Sequence, residues 1–326
     1  MRISFCGGGT DFRDFYTKKL GQVISAAINQ YVYIVINPTP LVSKIAVRYS
    51  ISENVDKPEE IKNTRVRAAL RYFGVFQGIE VGSFASLPSG AGLGSSSSFL
   101  VALIKALSLL KGQHLSANEV AELACHLEIN VLNEPMGKQD QFAAAYGGLN
   151  VFQFNPDGFT AVTPICLDSQ LYSSFQNHLL LFFTGITRSA TPILSEQKKN
   201  IATNSDFLEK ISDSVPRFTH CIETGDFETA GGILHENWEM KKKLASSISN
   251  ERLDALYKAG KEAGSWGGKI SGAGGGGCLL FLAPLDKKKL VTETLKMEAR
   301  RLKMDNYQEI PVNFTHLGAD VLYNHD

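Results

Sequence analysis

The sequence predicts an α+β protein built as two domains, and three observations lead to that class. The chain has 326 residues, more than a single hydrophobic core ordinarily serves. Strand-like runs crowd its first fifty residues, whereas helical periodicity dominates from about residue 189 to residue 263. Strands gathered early and helices massed late favour α+β layering over alternating βαβ units. The boundary is expected near residue 175, giving domains 1–175 and 176–326.

The early strands are Arg2–Cys6, Gln22–Ile28, Tyr31–Ile36 and Lys44–Tyr49, rich in Val, Ile, Tyr and Phe, with turn-formers such as Asn37-Pro38 between some of them. A helix is expected over Pro58–Phe73 and a strand over Ile79–Ala85. The apolar run FLVALIKALSLLKG reads as a helix ending at Gly112. Ser116–Leu132 reads as another, with Ser116 as N-cap and Glu119 completing a capping box. Gly147–Phe154 and His178–Thr184 read as strands, as do the segments flanking ISGAGGGG. A charged helix starts near Lys287, and the chain closes near IPVNFTHLG.

Composition narrows the partners. Hydrophobic residues make up 44% and charged residues 20%, ordinary values for a globular protein. Lys+Arg and Asp+Glu both number 33, so no basic excess is available to grip nucleic acid. The five cysteines are far apart and form no CxxC pair, which argues against a disulfide framework or a zinc site and for a reducing cytoplasm. The N-terminus carries no apolar run of signal-peptide length. The longest apolar stretch, Phe99–Leu110, contains Lys105 and is too short to span a bilayer, so no membrane partner is expected. Oligomeric state leaves no mark on the sequence, and a homodimer stays open.

Three glycine-rich segments carry the chemistry. The strongest is LPSGAGLGSSSS, Leu87–Ser98, set between a strand and a helix. Its glycines let the backbone curl close to a ligand, and the helix start offers free N–H groups and a positive dipole end to an anion. A flexible linker would not run straight into an apolar helix. The loop is not a Walker A motif, because Gly94 is followed by Ser95 and not by lysine. The second segment, Ile270–Gly277, formally contains GxGxxG, but it continues into the strand-like CLLFLAP and lacks the helix of a dinucleotide fingerprint. Its backbone is therefore expected to pack against a ligand or another glycine loop, or to form a plain turn. The third, CGGGTD at Cys6–Asp11, offers Thr10 and Asp11 to sugar hydroxyls, although a strand-ending turn would look the same.

Two acids stand out. Glu128 falls on the apolar stripe made by Ala121, Cys125 and Leu132, where a charge needs a partner or a metal unless it snorkels to the surface. His126 falls on the solvated face. Asp140 follows a Pro–Met–Gly turn and reads either as a helix N-cap or as a carboxylate that accepts a proton from, or orients, a substrate hydroxyl.

Taken in order, the three glycine segments resemble the motifs of the galactokinase–homoserine kinase–mevalonate kinase–phosphomevalonate kinase (GHMP) superfamily, and the resemblance covers essentially the whole chain. It implies a ribosomal-S5-like N-terminal domain, a ferredoxin-like C-terminal domain and an active site between them. It further implies ATP and Mg2+ as cofactors and a small sugar as substrate. The ATP phosphates would lie along Gly90, Ala91, Gly92, Leu93, Gly94, Ser95, Ser96, Ser97 and Ser98, with Ser96 and Glu128 on the metal. The twelve-residue interval from Glu128 to Asp140 matches the galactokinase spacing of metal ligand and catalytic acid. RISFCGGGTD is similar to the galactokinase signature, which puts Arg2 near the transferred phosphoryl group. Gly8, Gly9, Thr10 and Asp11, with Gly274 and Gly275, would then lie on the sugar. Family members carry a few more residues before this strand, where this sequence has only Met1; either the start lies late or the first strand is shortened, and Arg2 is then expected to be weakly anchored.

SFCGGGTDF, NEPMGKQDQFAAAYGG and TGITRSATPIL look most like the D-glycero-D-manno-heptose 7-phosphate kinases, which phosphorylate the anomeric hydroxyl. Such a substrate needs a basic receptor for the phosphate it already carries. Lys138, Arg188 and Arg13 are the candidates, each equally readable as a surface cation. The competing readings are a galactose- or fucose-type kinase, a non-catalytic sugar and ATP sensor on the same fold, and a dehydrogenase using GAGGGG.

Overall fold

The computed structural model describes residues 1–324. Its first half runs β1 (Arg2–Ser4), α1 (Arg13–Tyr16), β2 (Gly21–Ala27), β3 (Val32–Pro38), β4 (Ile45–Arg48), β5 (Ser52–Val55), α2 (Thr64–Tyr72), β6 (Ile79–Ala85), α3 (Ser95–Leu110), α4 (Ala117–Cys125), α5 (Gln139–Tyr146), β7 (Leu149–Phe154) and β8 (Thr160–Pro164). The second half runs α6 (Ser169–Asn177), β9 (Leu179–Phe183), α7 (Thr191–Lys199), α8 (Ser205–Thr224), α9 (Phe227–Lys241), α10 (Glu251–Glu262), β10 (Gly267–Ile270), β11 (Cys278–Leu282), α11 (Lys288–Arg301) and β12 (Gln308–Glu309). The architecture is α+β.

The strands form three sheets of four, in the orders β1-β2-β7-β8, β3-β6-β4-β5 and β10-β11-β9-β12. Among the described residues only β4 and β6 pair in parallel. The first sheet explains how the halves join. All of β2 is buried, and its alternate residues serve different cores. Val23 packs with Leu100, Ile104 and Phe142 under α3 and α5, while Ile24 and Ala26 pack with Phe175, Phe218 and Ile233 from the helices of the second half. The same alternation runs along β11. Cys278, Leu280 and Leu282 share the core with Phe5 and Phe218, whereas Leu279 and Phe281 face α10 and α11.

Several expected elements divide. The Pro58–Phe73 helix becomes a 3-10 turn at Pro58–Glu60 and a separate α2, because the Asn63 side chain accepts from the Arg65 and Val66 N–H groups and starts a new helix. Ser116 forms the expected capping box with Glu119, but the helix passes at His126 into a π-helical turn that ends at Val131. The long helical stretch of the second half is four helices. Helices α1 and α6 and strands β5 and β8 lacked a readable pattern; each is short, β5 and β8 pair with the strands just before them, and α6 is capped by Asp168.

Candidate active site

Strand β6 leads into a turn at residues 86–94, and α3 begins at Ser95. Gly92 and Gly94 hold φ values of +80° and +72°, a left-handed conformation that side chains resist. A Cβ on Gly92 would also stand 2.6 Å from the Ser271 carbonyl oxygen, and one on Gly272 would stand 2.8 Å from the Gly92 Cα. The glycine loop between β10 and β11 therefore packs backbone to backbone on the turn before α3. That is one of the arrangements the sequence allowed for ISGAGGGG.

Pinned there, Gly90, Gly92, Gly94, Ser95 and Ser96 line a cleft between the two halves of the chain. The neighbouring side chains turn the other way. Ala91 and Leu93 enter the core shared with Phe5, Ser97 donates to Glu128, and Ser98 is buried. The side-chain face offered to an anion is thus narrower than the nine residues expected.

Arg2 and Asp140 meet this turn. Arg2 Nε lies 2.8 Å from Asp140 Oδ1, and Arg2 Nη1 donates to the Gly92 carbonyl oxygen at 2.9 Å. A Cβ on Gly94 would sit 3.4 Å from Arg2 Cγ and 3.5 Å from Asp140 Cγ, so turn, cation and carboxylate are in contact. Asp140 is not the N-cap of α5; it stands in the first turn, after Lys138 at the cap. The expected weak anchoring of Arg2 is overturned. Its backbone pairs with Ala27 in β1–β2, its N–H donates to the Leu93 carbonyl oxygen at 3.1 Å, and the residue is 3% exposed.

Gly8, Gly9 and Asp11 line the same cleft. The Asp11 carboxylate accepts from the Gly9 N–H, the Gln139 N–H and Gln139 Nε2 at 2.9–3.1 Å, and burial raises its pKa above the usual carboxylate range. Thr10 does not join it. Its hydroxyl is fully buried, donating to the Gly7 carbonyl oxygen and accepting from the Gln22 N–H, so it shapes the turn. Gly274 and Gly275 also stay off the cleft wall, packed on Ile248 and Ile193; Gly272 and Ala273 reach the wall instead.

Of the three candidate phosphate receptors, only Arg188 lines the cleft. Its Nε donates to the Gly274 carbonyl oxygen, its Nη2 has no partner, and burial lowers its pKa. Lys138 points elsewhere, bound to Glu122 at 3.0 Å and to the Gly158 carbonyl oxygen at 3.0 Å. Arg13 is exposed on α1. The cleft brings in residues to which sequence reasoning gave no role: Ser4, Arg65, Gln139, Gln197, Lys241 and Lys269. Lys241 sits in the run MKKK, which reads as a solvated helix face. Ser4 lies inside RISFCGGGTD, Gln139 inside NEPMGKQDQFAAAYGG, and Lys269 directly precedes ISGAGGGG, so each of these three adjoined a motif without being given a role.

The expected metal pair is not assembled. Ser96 faces the cleft, but Glu128 is completely buried. Its Oε1 accepts from Arg65 Nε at 2.7 Å, and its Oε2 from Ser97 Oγ at 2.9 Å and Gln141 Nε2 at 2.6 Å. Burial raises its pKa despite these donors. Among the described residues no group of three His, Cys, Asp or Glu side chains is placed to hold a metal. Ser96 and Glu128 thus do not fit Mg2+ in this arrangement.

The model for the GHMP kinases N terminal domain matches residues 62–148, and that for GHMP kinases C terminal matches residues 218–298. The D-glycero-alpha-D-manno-heptose 7-phosphate kinase of Campylobacter jejuni is 28% identical over 312 residues, covering 91% of this chain and 92% of that protein. The bifunctional fucokinase/GDP-fucose pyrophosphorylase of Arabidopsis thaliana is 27% identical over 92% of this chain, which spans only 31% of that longer protein. Among solved structures, a D-glycero-D-manno-heptose 1-phosphate kinase from Bacteroides thetaiotaomicron superposes with a TM-score of 0.77 at 24% identity, covering 96% of this chain and 94% of that one, a likeness of fold. The two matched segments bracket the glycine turn, the Arg2–Asp140 pair's carboxylate and the helix that carries Lys241, and the chain belongs to the GHMP kinase family: it is a small-molecule kinase, a phosphotransferase.

Proposed function

We propose that this kinase transfers the γ-phosphoryl group of ATP to a sugar or sugar phosphate, specifically to the anomeric hydroxyl of D-glycero-D-manno-heptose 7-phosphate. The product would be the 1,7-bisphosphate, serving nucleotide-heptose and surface-polysaccharide synthesis. One observation carries the reading: the glycine turn that would hold the triphosphate touches the carboxylate that would take the hydroxyl proton. Support for the heptose comes from the Campylobacter relative, similar along nearly its whole length.

In this reading the first turn of α3 and the Ser95 and Ser96 hydroxyls bind the β- and γ-phosphates. Asp11 and Gln139 orient the acceptor. Asp140 accepts the proton as the anomeric oxygen attacks phosphorus, the bond between that phosphorus and the β,γ-bridging oxygen breaks, and ADP leaves with the electron pair. Arg2 holds Asp140 in place and offsets charge on the transferred group. The Mg2+ in this proposal is the one that accompanies ATP; the roles assigned here belong to side chains alone. The reaction is placed in the cytoplasm, consistent with five free cysteines. No helix among the described residues is long and apolar enough to cross a membrane.

The fucokinase relative supports a second reading, a kinase of a free fucose- or galactose-type hexose. A non-catalytic sensor is disfavoured by the intact Arg2–Asp140 pair, and a dehydrogenase by the packing of GAGGGG on the turn before α3. The test is an ADP-release screen over free and phosphorylated hexoses and heptoses, with NMR assignment of the phosphorylated carbon. Turnover confined to a free hexose would replace the heptose phosphate reading, and no ADP release with any sugar would remove the sugar kinase reading.

A further inference from the structure

Three cations on the cleft wall have no carboxylate partner. Lys241, the last residue of α9, and Lys269, on β10, are 6% and 4% exposed. Among the described residues the Lys241 ammonium donates only to the Gly272 carbonyl oxygen, and that of Lys269 only to the Phe5 carbonyl oxygen at 2.8 Å. The third, Arg188, keeps a partnerless Nη2. The remaining cleft cations are paired, Arg2 with Asp140 and Arg65 with Glu128 and Glu134.

One carbonyl dipole does not repay the desolvation of an ammonium group. Burial accordingly holds Lys269 down to about 8 and Lys241 well below the ordinary lysine value. A further polar group is left waiting in the same place. Ser4 lines the cleft, is 3% exposed, and its hydroxyl has no partner. Buried polar groups without partners are rare in folded proteins. Two ammonium groups without a counter-charge and a hydroxyl without a partner line the same cleft, an arrangement suited to an anion.

The connections of Lys269 and Ser4 lead to the acceptor side, while Lys241 is held by the carbonyl of Gly272, which packs on Gly92, and so stands between that side and the phosphate turn. Lys269 is tied to Phe5, and Ser4 precedes it, both just ahead of the Gly8–Asp11 turn on the acceptor side. Arg188, by contrast, packs its backbone against Gly90 of the phosphate turn, where a Cβ on the glycine would lie 2.9 Å from the arginine carbonyl oxygen. Arg188 therefore adjoins the phosphate turn.

We infer that Lys241 and Lys269, with the Ser4 hydroxyl, receive a phosphate ester already carried by the acceptor substrate. The inference rests on the kinase reading above and deepens it: the acceptor is a phosphorylated metabolite, recognised by buried lysines from α9 and β10 and not by Lys138 or Arg13. Phosphate and lysines meet in a site shielded from water, where a charge-assisted hydrogen bond is strong. A neutral sugar would leave both lysines buried and unpaired, so the same residues discriminate against it.

The experiment titrates inorganic phosphate, by calorimetry, into protein saturated with a non-hydrolysable ATP analogue, for wild type, Lys241→Met and Lys269→Met. The wild type is expected to bind phosphate and each variant to bind it about 10–100-fold more weakly. Absence of phosphate binding to the wild type, or equal affinity in the variants, would overturn the receptor. In turnover with a sugar phosphate, KM for the acceptor should rise by a similar factor in each variant while KM for ATP moves by no more than about twofold. A parallel rise in KM for ATP would reassign the lysines to the nucleotide. Thermal melting of the ligand-free variants separates binding from scaffolding, since replacing an unpaired buried ammonium by methionine should leave Tm unchanged or raise it. A drop in Tm together with unchanged phosphate affinity would mark the lysines as purely structural. Because the phosphate titration needs no turnover, failure of the kinase reading and failure of the receptor give different results.

Discussion

The guanidinium of Arg2 fixes Asp140 against the phosphate turn: its Nε stands 2.8 Å from Asp140 Oδ1 while its Nη1 holds the Gly92 carbonyl oxygen at 2.9 Å. One side chain from the first strand thus sets the distance between the group proposed to take the proton and the loop that would hold the phosphates. Asp140→Asn is expected to lower kcat by about 10²–10⁴ while leaving nucleotide affinity largely intact. Arg2→Met should lower kcat by about 10²–10³, and the double variant should be little worse than Asp140→Asn, because the two residues act as one unit. Coupled ADP release and nucleotide titration check this. Wild-type turnover in Asp140→Asn would remove the proton-accepting role.

The contact between the two glycine loops predicts a contrast between two alanine substitutions. At Gly112 the φ is +66° but the surroundings are open, so Gly112→Ala should cost about 1 kcal/mol of stability and leave ATP affinity unchanged. At Gly92 a similar φ is combined with a 2.6 Å clash against the Ser271 carbonyl oxygen. Gly92→Ala must push the loops apart, and ATP affinity should fall by about tenfold or more. Urea unfolding and nucleotide titration on the two variants test the contrast; equal ATP affinity in both would show that the loops can separate freely.

Glu128 is fully buried and Arg65 is its charged partner. Arg65→Met leaves the carboxylate without that partner and should destabilise the protein by about 3 kcal/mol. Adding Glu128→Gln should recover much of the loss, since a neutral amide needs no counter-charge. Urea midpoints of the single and double variants measure the coupling, and simple additivity would contradict it.

The lowered pKa of Lys269, about 8, sets a pH window for acceptor binding. The ammonium form predominates below that value and is lost as pH rises through it, so KM for a sugar phosphate should climb above about pH 8. Lys269 faces Cys6, whose thiol burial pushes up to about 12 and keeps neutral here, together with Arg2 from β1 and Lys241 from α9. Lys269→Met should flatten the rise. Acceptor KM measured across pH at saturating ATP decides the point, and an unchanged profile in the variant would assign the titration elsewhere.

Much of this site was readable from local pattern. The turn before α3 declared itself because a strand, three spaced glycines and an apolar helix follow one another in a single stretch. The interval from Glu128 to Asp140 and the place of Arg2 in RISFCGGGTD gained meaning only through the resemblance to galactokinases. Thr10, Lys138 and Gly274 were misplaced for a shared reason. Each is of a type that could meet a ligand, but the direction of a hydroxyl, an ammonium or a loop depends on partners such as Gln22, Glu122 and Ile248 that no local pattern specifies. The division of the Ser116–Leu132 helix escaped for a different reason, since a π-helical turn leaves the apolar stripe nearly intact.

By itself the sequence determined where the chain must bend and which stretches must be buried, because glycine conformations, helix caps and periodic apolar faces depend on residues a few positions apart. Tertiary structure alone decided which charges lose their water. Lys241 stands in a lysine run indistinguishable from a solvated helix face, and only the packing of α9 beneath the Gly272 loop seals its ammonium from solvent. Desolvation is set by everything within a few ångströms in space, and that neighbourhood is assembled from segments hundreds of residues apart in the chain.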